Sequence, residues 1–213
     1  MNPNRMILLT LPFLIGMGCQ PSKTLKLPVY DTPDFTPIWT TRSALQQHPL
    51  HTISPFCFLD QNGDSVTNRT FDGKIYVANF FFTFCPSICP KMTNNLLAVQ
   101  KAFEHDSSVM LLSHTVMPWV DSVSQLHAYA ERKVIASNQW RLVTGATKDI
   151  YALARQSYFA EEAIGYKRDS SEFLHTEHVL LIDPNRHIRG VYNGTLPLEI
   201  DRLMEDIRLL KTE

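Results

Sequence analysis

Residues 74–83, KIYVANFFFT, form a nearly continuous apolar run of strand length. A strand without polar alternation has to be covered on both faces, as happens at the centre of an α/β sheet. The run VMLLSHTV has the same character, and the segment MTNNLLAVQKAFEH between the two carries apolar residues at mostly helical spacing. Strands that alternate with helices predict an α/β fold with a central mixed β-sheet flanked by helices.

Further elements follow the same logic on both sides of this centre. An N-terminal β-hairpin is predicted from HTISPFCFLD and DSVTNRTF, joined by a turn at Asn62-Gly63. Asp121 or Ser122 is expected to cap the next helix. The remaining predicted elements are the helices SQLHAYAERK, KDIYALARQ and LEIDRLMEDIRLLK and the strands WRLVTG, HVLLID and HIRGVY.

Length and composition favour one globular domain with a tail. The chain has 213 residues, 44% of them hydrophobic and 19% charged, which is enough apolar material for one core. Its formal net charge of -1 argues against a nucleic-acid partner, which would require a clustered basic surface. Nucleic acid is therefore not expected among the partners.

The N-terminus has the features of an export signal. Arg5 precedes an apolar stretch, 6–17, that is too short to span a bilayer comfortably but has the length of a signal-peptide core. We therefore expect a signal over 1–18. Cys19 directly after Gly18 resembles the lipidated cysteine of a lipobox, although Gly16 stands where Leu is usual. Lipidation of Cys19, plain cleavage and an uncleaved anchor stay open, and all three place the domain outside the cytoplasm.

A proline-rich segment follows the signal. Residues 20–47 contain Pro21, Pro28, Pro33 and Pro37 without a clear helical or strand period. Such a composition is typical of an extended tether. The expected organisation is a signal over 1–18, an anchor cysteine and flexible tether over 19–47, and a folded domain over 48–213.

The chemistry of the chain centres on Cys85 and Cys89, which follow the central strand in FFTFCPSICPKM. They are expected between the strand's carboxyl end and a helix N-terminus, where functional sites form and thiolates are stabilised. A structural disulfide, a redox pair and a metal site remain possible from the residues alone. A bridge over so short a loop contributes little stability, which weighs against a purely structural role.

The spacing of the two cysteines narrows the choice among these three roles. Thioredoxin-type redox sites have two residues between their cysteines, whereas Pro86, Ser87 and Ile88 separate these two. Closed zinc sites need four ligands, and Cys57, between Phe56 and Phe58, is predicted to pack as a small apolar residue.

Two thiolates and one imidazole suit Cu(I), or Cu(II) with a further weak ligand. His175 and His178 flank the start of a predicted strand, where their odd offset directs them to opposite faces. At most one of them should be a ligand, and the pattern alone does not choose between them.

The motif FFTFCPSICP resembles the FTxCPxxCP signature of the Sco/SenC copper-binding proteins. FCFLDQNG, WRLVTG and HTEHVLLIDPNRHIRGVYNG stand in the expected order around it, so the resemblance covers roughly residues 51–211. It implies a thioredoxin-like fold in which Cys85, Cys89 and a distant histidine bind copper. In the family this histidine is followed by Thr and comes nine residues before a turn proline. The pair His175-Thr176 with Pro184 matches, so the resemblance favours His175 over His178.

One segment departs from the family pattern. TVMPWVDS has Met117 and Trp119 where relatives carry acidic or polar residues, while Pro118 and Asp121 are kept. Lost charge at this place is expected to alter the partner surface. Met117 is predicted to pack in the core rather than to bind copper.

The aromatic residues beside the cysteines also have an expected role. Phe80, Phe81, Phe82 and Phe84 are predicted core residues, and Phe84 is the best candidate among them for lying beside the site.

The resemblance implies a membrane-tethered copper metallochaperone of the cell envelope, in the form of a bacterial lipoprotein. Its partners would be the copper-bearing subunit of cytochrome c oxidase and a copper donor or thiol reductant. The alternative is an extracytoplasmic thiol-disulfide oxidoreductase in which Cys85 and Cys89 reduce the cysteines of that subunit. Both functions use the same sulfurs, so whether the chain is an enzyme stays open.

Overall fold

The computed structural model describes residues 25–47, 50–160 and 176–213. The strands are β1 (Val29–Tyr30), β2 (Pro37–Ile38), β3 (Cys57–Asp60), β4 (Ser65–Thr67), β5 (Ile75–Phe81), β6 (Val109–Thr115), β7 (Trp140–Thr144), β8 (His178–Ile182) and β9 (Ile188–Asn193). The helices are α1 (Arg42–Gln47), α2 (Ile88–Ala102), α3 (Val123–Lys133), α4 (Thr147–Gln156) and α5 (Pro197–Leu210), with a short 3-10 helix at Asn68–Phe71.

The strands of the described residues form one mixed sheet in the order β2-β1-β9-β8-β5-β6-β7-β3-β4. The pairs β5–β6 and β6–β7 are parallel, and the other neighbours are antiparallel. The predicted central mixed sheet is confirmed, and so is the N-terminal hairpin, which is β3 and β4. None of the helices in this part of the chain has the length and apolar character that a membrane span requires.

The two apolar runs form central strands of the sheet, β5 and β6, as predicted. Every residue of β5 and β6 is buried, and the two strands pair in parallel from Ile75 opposite Val109 to Phe81 opposite Thr115. Because successive side chains of a strand point to opposite faces, each strand feeds two cores. One core packs against α2, α3 and α5, and the other packs against α4 and the hairpin.

Helix α2 begins earlier than the sequence pattern indicated. It starts at Ile88, so Cys89 and Pro90 both lie in its first turn. Proline is tolerated there because the N–H groups of a first turn have no partner within the helix. The N-cap of α3 is Ser122, one of the two predicted candidates. Its hydroxyl accepts a 3.3 Å hydrogen bond from the N–H of Gln125.

The prediction of a flexible tether is wrong for residues 25–47. Leu25, Leu27 and Val29 are buried, and β1 pairs with β9 through Tyr30 opposite Ile188. The reason is an alternating apolar pattern, one residue in two from Leu25 to Val29, which the prolines of the segment masked. This part of the chain belongs to the folded domain.

A cluster of buried charged side chains, which we call the buried ion cluster, holds this segment against the domain. The Glu213 carboxylate accepts hydrogen bonds from the N–H groups of Lys26 (2.5 Å) and Leu27 (2.9 Å). Arg189 donates to the carbonyls of Leu27 and Pro28 and lies 2.8 Å from Glu213. Glu213 follows the end of α5, which begins at the edge of the sheet that carries the cysteines. Residues 26–28 are therefore held at the opposite end of the domain.

Candidate copper and thiol site

The cysteine loop, residues 82–87, connects the end of β5 to the start of α2. The N–H of Cys85 donates a 3.3 Å hydrogen bond to the carbonyl of Phe82, which folds the loop back on itself. This is the carboxyl edge of the sheet, where α/β proteins place their functional groups. The location predicted for the two cysteines is the one observed.

The two cysteines lie next to each other as free thiols. Cys85 is half-buried and Cys89 is buried. The N–H of Cys89 donates a hydrogen bond to the sulfur of Cys85 over 3.4 Å, because the loop turns into the helix between them. An amide at a helix N-terminus that points at a sulfur stabilises negative charge on it.

The two thiols differ in acidity. Partial burial raises the pKa of Cys85, but hydrogen bonds from the Cys89 thiol and from the backbone N–H groups of Ser87, Cys89 and Ile88 outweigh it and lower that pKa. Burial raises the pKa of Cys89 to about 12, and the hydrogen bond that its thiol gives to Cys85 acts in the same direction. Cys85 is therefore the more acidic of the two thiols, and Cys89 keeps its proton at neutral pH in the absence of a metal.

A buried carboxylate holds the cysteine loop. Asp121 is fully buried and accepts hydrogen bonds from the hydroxyl (2.6 Å) and the N–H (3.2 Å) of Thr83, and from the hydroxyl of Thr115 (2.5 Å). Sequence reasoning gave Asp121 only the role of a possible helix cap and so missed this contact. The available signal was that Asp121 is kept, together with Pro118, in a segment where Met117 and Trp119 depart from the family pattern.

Tyr129 of α3 lies on the buried side of the site, in the same core as Cys89. Its ring packs against Phe81 with centroids 5.6 Å apart, and its hydroxyl lies 2.9 Å from that of Thr93. Burial raises the pKa of Tyr129, and negative charge on Cys89 or Cys85, when either is ionised, acts in the same direction. Tyr129 was also missed from the sequence, where it was only part of the predicted helix SQLHAYAERK.

Of the two candidate histidine ligands, the structure describes His178. Its ring packs edge-on against Phe35 with centroids 5.6 Å apart. Along β8, Val179 and Leu181 join the core that contains Cys89, while Leu180 joins the other core. His178 therefore faces away from the cysteines, and its buried Nδ1 has no hydrogen-bond partner among the described residues.

The predicted ligand His175 and the predicted lipidation site Cys19 lie outside the described residues. Within those residues, no group of three or more histidine, cysteine or acidic side chains could hold a metal ion. The described part of the chain thus contributes two sulfur donors, Cys85 and Cys89. This donor set fits a soft ion such as Cu(I), provided that a further ligand comes from elsewhere.

The neighbouring aromatic residues fall into two groups. Phe80 and Phe81 are buried, as predicted, and Phe82 is partly buried. Phe84 is 64% exposed, which contradicts a core role but agrees with a position beside the site. Met117 packs partly buried against the core on the α4 side, as predicted.

The prediction for Cys57 is wrong. The residue is exposed, with its sulfur 3.5 Å from the hydroxyl oxygen of Ser65. The alternation of β3 explains this, because Phe58 faces the core and its neighbours Cys57 and Leu59 face outward.

Comparison with known proteins matches the chain to one protein family. The sequence model of the SCO1/SenC family matches residues 44–211. The SCO1 protein homolog of Bacillus subtilis is 26% identical over 162 residues, which cover 75% of this chain and 83% of that protein.

Solved structures agree with this match. A SCO1/SenC family lipoprotein from Bacillus anthracis superimposes with a TM-score of 0.66 at 26% identity, covering 76% of this chain and 95% of its own. BsSco, described with a disulfide switch and as a member of the Sco family of cytochrome c oxidase assembly proteins, gives 0.64 at 27% identity, covering 76% and 94%. ScoI of Arabidopsis thaliana with copper bound gives 0.59 at 25% identity, covering 75% and 98%. The predicted thioredoxin-like fold is confirmed.

Proposed function

The chain belongs to the SCO1/SenC family, and on this basis we propose that it is a membrane-tethered metallochaperone that delivers copper to the binuclear copper site of cytochrome c oxidase. The thiolates of Cys85 and Cys89 and the imidazole of His175 hold the copper. The observation that carries this proposal is the pair of free thiols at the start of α2, with the amide of Cys89 directed at the sulfur of Cys85.

The ligand types favour copper as the cargo. Thiolate and imidazole together suit Cu(I), and relatives have been solved with copper bound, among them ScoI of Arabidopsis thaliana. Cys89 has to lose its proton when the metal binds, because the thiolate is the form that coordinates. The metal then replaces the proton that Cys89 shares with Cys85.

His175 is preferred over His178 as the third ligand for two reasons. His178 packs on Phe35, on the face of the sheet opposite to Cys89. His175, in contrast, is followed by Thr176 and comes nine residues before Pro184, which matches the ligand histidine of the Sco/SenC pattern.

The proposed organisation follows the sequence. Residues 1–18 are an export signal, Cys19 is lipidated, and the folded domain, given as 48–213 from the sequence, extends in the structure to Leu25. The domain then works in the cell envelope, outside the cytoplasm. A similar protein from Bacillus anthracis is described as a lipoprotein, which supports this localisation.

A thiol-disulfide oxidoreductase is the second candidate, and the unequal acidity of the two thiols favours it. The Cys85 thiolate attacks a disulfide of the oxidase subunit and forms a mixed disulfide. Cys89 then attacks Cys85, which releases the subunit as a dithiol and leaves a Cys85–Cys89 disulfide. Two electrons pass to the subunit, and a separate thiol reductant has to restore the pair. The disulfide switch described for BsSco supports this reading.

The experiment that separates the two functions uses the full chain in lipid nanodiscs and the purified copper-bearing domain of the oxidase subunit. The Cu(I)-loaded chain is mixed with the reduced acceptor, and the copper-free reduced chain is mixed with the oxidised acceptor. We expect copper to move to the reduced acceptor, and His175→Ala to abolish this. Reduction of the oxidised acceptor, unaffected by His175→Ala and without copper transfer, would establish the oxidoreductase instead.

A further inference from the structure

Large apolar side chains are exposed around the cysteine loop. Five of those in the described residues belong to this edge of the sheet: Phe84, Trp119, Val120, Leu196 and Leu198. We call these five residues the apolar rim. Trp119 is 60% exposed and Leu198 is 77% exposed. Large exposed apolar side chains that gather at one edge of a domain often mark an interaction site.

The fold holds the rim on both sides of the cysteines. On one side, Asp121 ties the segment of Trp119 and Val120 to Thr83 of the cysteine loop. On the other side, the turn before Leu196 is tied to α2 by a 2.9 Å hydrogen bond from the Asn95 side chain to the Gly194 carbonyl.

Glycine at position 194 permits this approach. An added Cβ there would lie 2.9 Å from Cγ of Met92, one turn of α2 beyond Cys89. The turn that carries Leu196 therefore packs directly against the helix of the site.

The segments of the rim carry almost no exposed charge. Residues 82–91 contain one charged residue, Lys91, residues 116–122 contain one, the buried Asp121, and residues 193–198 contain none. Two carboxylates adjoin the rim: Glu199 directly follows Leu198, and the carbonyl of Glu177 accepts a hydrogen bond from the N–H of Gly194. Because the rim segments themselves carry few charges, recognition at this surface comes mainly from apolar contact and only weakly from electrostatic steering.

We propose that the apolar rim docks the protein that exchanges copper with Cys85 and Cys89, and that this partner presents its own metal ligands within an apolar, weakly charged surface. The inference rests on the proposed function. Copper passes between proteins only when the ligands of both reach it together, so the partner has to cover the residues around Cys85. Aromatic residues at the centre of such a contact carry much of its binding energy.

The position of the N-terminal segment favours a protein over a lipid surface as the occupant. Lys26 and Leu27 are held by Glu213, which follows the last turn of α5. The rim residues Leu196 and Leu198 stand at the first turn of the same helix. A membrane anchor upstream of Lys26 thus joins the domain at the end opposite to the rim.

The test measures the rate of Cu(I) transfer from the full chain, in nanodiscs, to the reduced copper-bearing domain of the oxidase subunit. The variants are Trp119→Gln and Leu198→Gln. Their matched controls are Trp39→Gln and Val134→Gln, since Trp39 is 63% exposed beside the edge strand β2 and Val134 is 79% exposed at the far end of α3. Copper affinity is measured for every variant by competition with a chromophoric chelator.

We expect each rim variant to slow bimolecular transfer by about tenfold or more while copper affinity stays unchanged, and each control to transfer like the wild type. Raising the ionic strength should change the wild-type rate little. Transfer by the rim variants at the wild-type rate would overturn the rim proposal and leave the proposed function intact. A wild-type chain that binds no copper would instead contradict the proposed function.

Nanodiscs of brominated lipid test the membrane as occupant. If bromine quenches the fluorescence of the wild type but not that of Trp119→Gln, the rim faces lipid and the partner proposal fails. Equal quenching of the two supports the partner.

Discussion

The carboxylate of Asp121 accepts hydrogen bonds from both the N–H and the hydroxyl of Thr83, which lies two residues before Cys85. Asp121 also accepts from Thr115 at the end of the neighbouring strand β6. The position of the cysteine loop is therefore set by a residue that contacts neither sulfur. Because Asp121 also anchors the segment of Trp119, one carboxylate fixes the metal site and part of the apolar rim relative to each other.

Replacing Asp121 tests this role. Asp121→Asn puts an NH₂ group where an acceptor is needed, so at least one donor of Thr83 or Thr115 loses its partner. A buried polar group without a partner costs about 1–3 kcal/mol, and we expect the free energy of unfolding in urea to fall by that amount. Copper affinity should fall several-fold as the loop loosens. Asp201→Asn, at an exposed position of α5, is the control and should match the wild type in both measurements.

The unequal thiols predict unequal reactivity. In the reduced, copper-free chain, Cys85 should react with iodoacetamide much faster than Cys89 at neutral pH, because the pKa of Cys85 is lowered and that of Cys89 is raised to about 12. Mass spectrometry of peptides after timed alkylation measures both rates, and Cys57→Ser removes the exposed thiol of β3. Faster labelling of Cys89 would show that the assignment of the two roles is reversed.

A buried histidine outside the site predicts loss of stability in acid. His114 is enclosed by the rings of Phe56, Phe58, Phe80 and Tyr158, with centroids 5.3–5.7 Å away, and within the described part of the chain neither of its ring nitrogens has a hydrogen-bond partner. Burial lowers the pKa of His114 from 6.5 to about 3. Between these two values the unfolded chain binds a proton that the folded chain does not, so stability is lost as the pH falls through this window.

For this one group the loss is about 1.4 kcal/mol per pH unit below 6.5. His114→Leu removes it, so on acidification from pH 7 to pH 5 the variant should lose about 2 kcal/mol less than the wild type in urea unfolding. The exposed His105 provides the control His105→Gln, which should follow the wild-type curve. Parallel curves for His114→Leu and the wild type would contradict the predicted linkage.

The buried ion cluster predicts that Arg189 stabilises the N-terminal segment. Arg189→Met leaves the carboxylates of Asp183 and Glu213 without their shared cation, which costs about 3–5 kcal/mol when such groups are buried. Amide hydrogen exchange should then accelerate first in residues 25–30. Arg202→Met breaks an exposed 3.9 Å contact with Asp206 and should change the stability little. Unchanged exchange in Arg189→Met would disprove the fastening role.

The parts of the fold that the sequence predicted well are those set by local patterns. Strands β5 and β6 could be predicted from their apolar runs. The hairpin of β3 and β4 could be predicted from the turn sequence Asn62-Gly63, where Gly63 has a φ of +81°. The cysteines follow directly from the end of β5. Their place at the sheet edge could therefore be predicted before any contact was known.

The features that were missed depend on contacts between residues far apart in the chain. Asp121 meets Thr83 38 positions away, and Arg189 meets Leu27 162 positions away. No local pattern reports such pairs, since only the folded sheet brings them together. The prediction for Cys57 was wrong for a different reason. The phenylalanines on either side of Cys57 do not show which residues of the four-residue strand β3 face the core.

Copper binding by the full chain tests the central claim most directly. The reduced and oxidised wild type, His175→Ala and His178→Ala are titrated with Cu(I) in competition with a chromophoric chelator. The account predicts one tightly held copper in the reduced wild type, none in the oxidised form, affinity weakened at least about tenfold by His175→Ala, and little change in His178→Ala. Equal affinity of the wild type and His175→Ala, or a larger loss in His178→Ala, would contradict it.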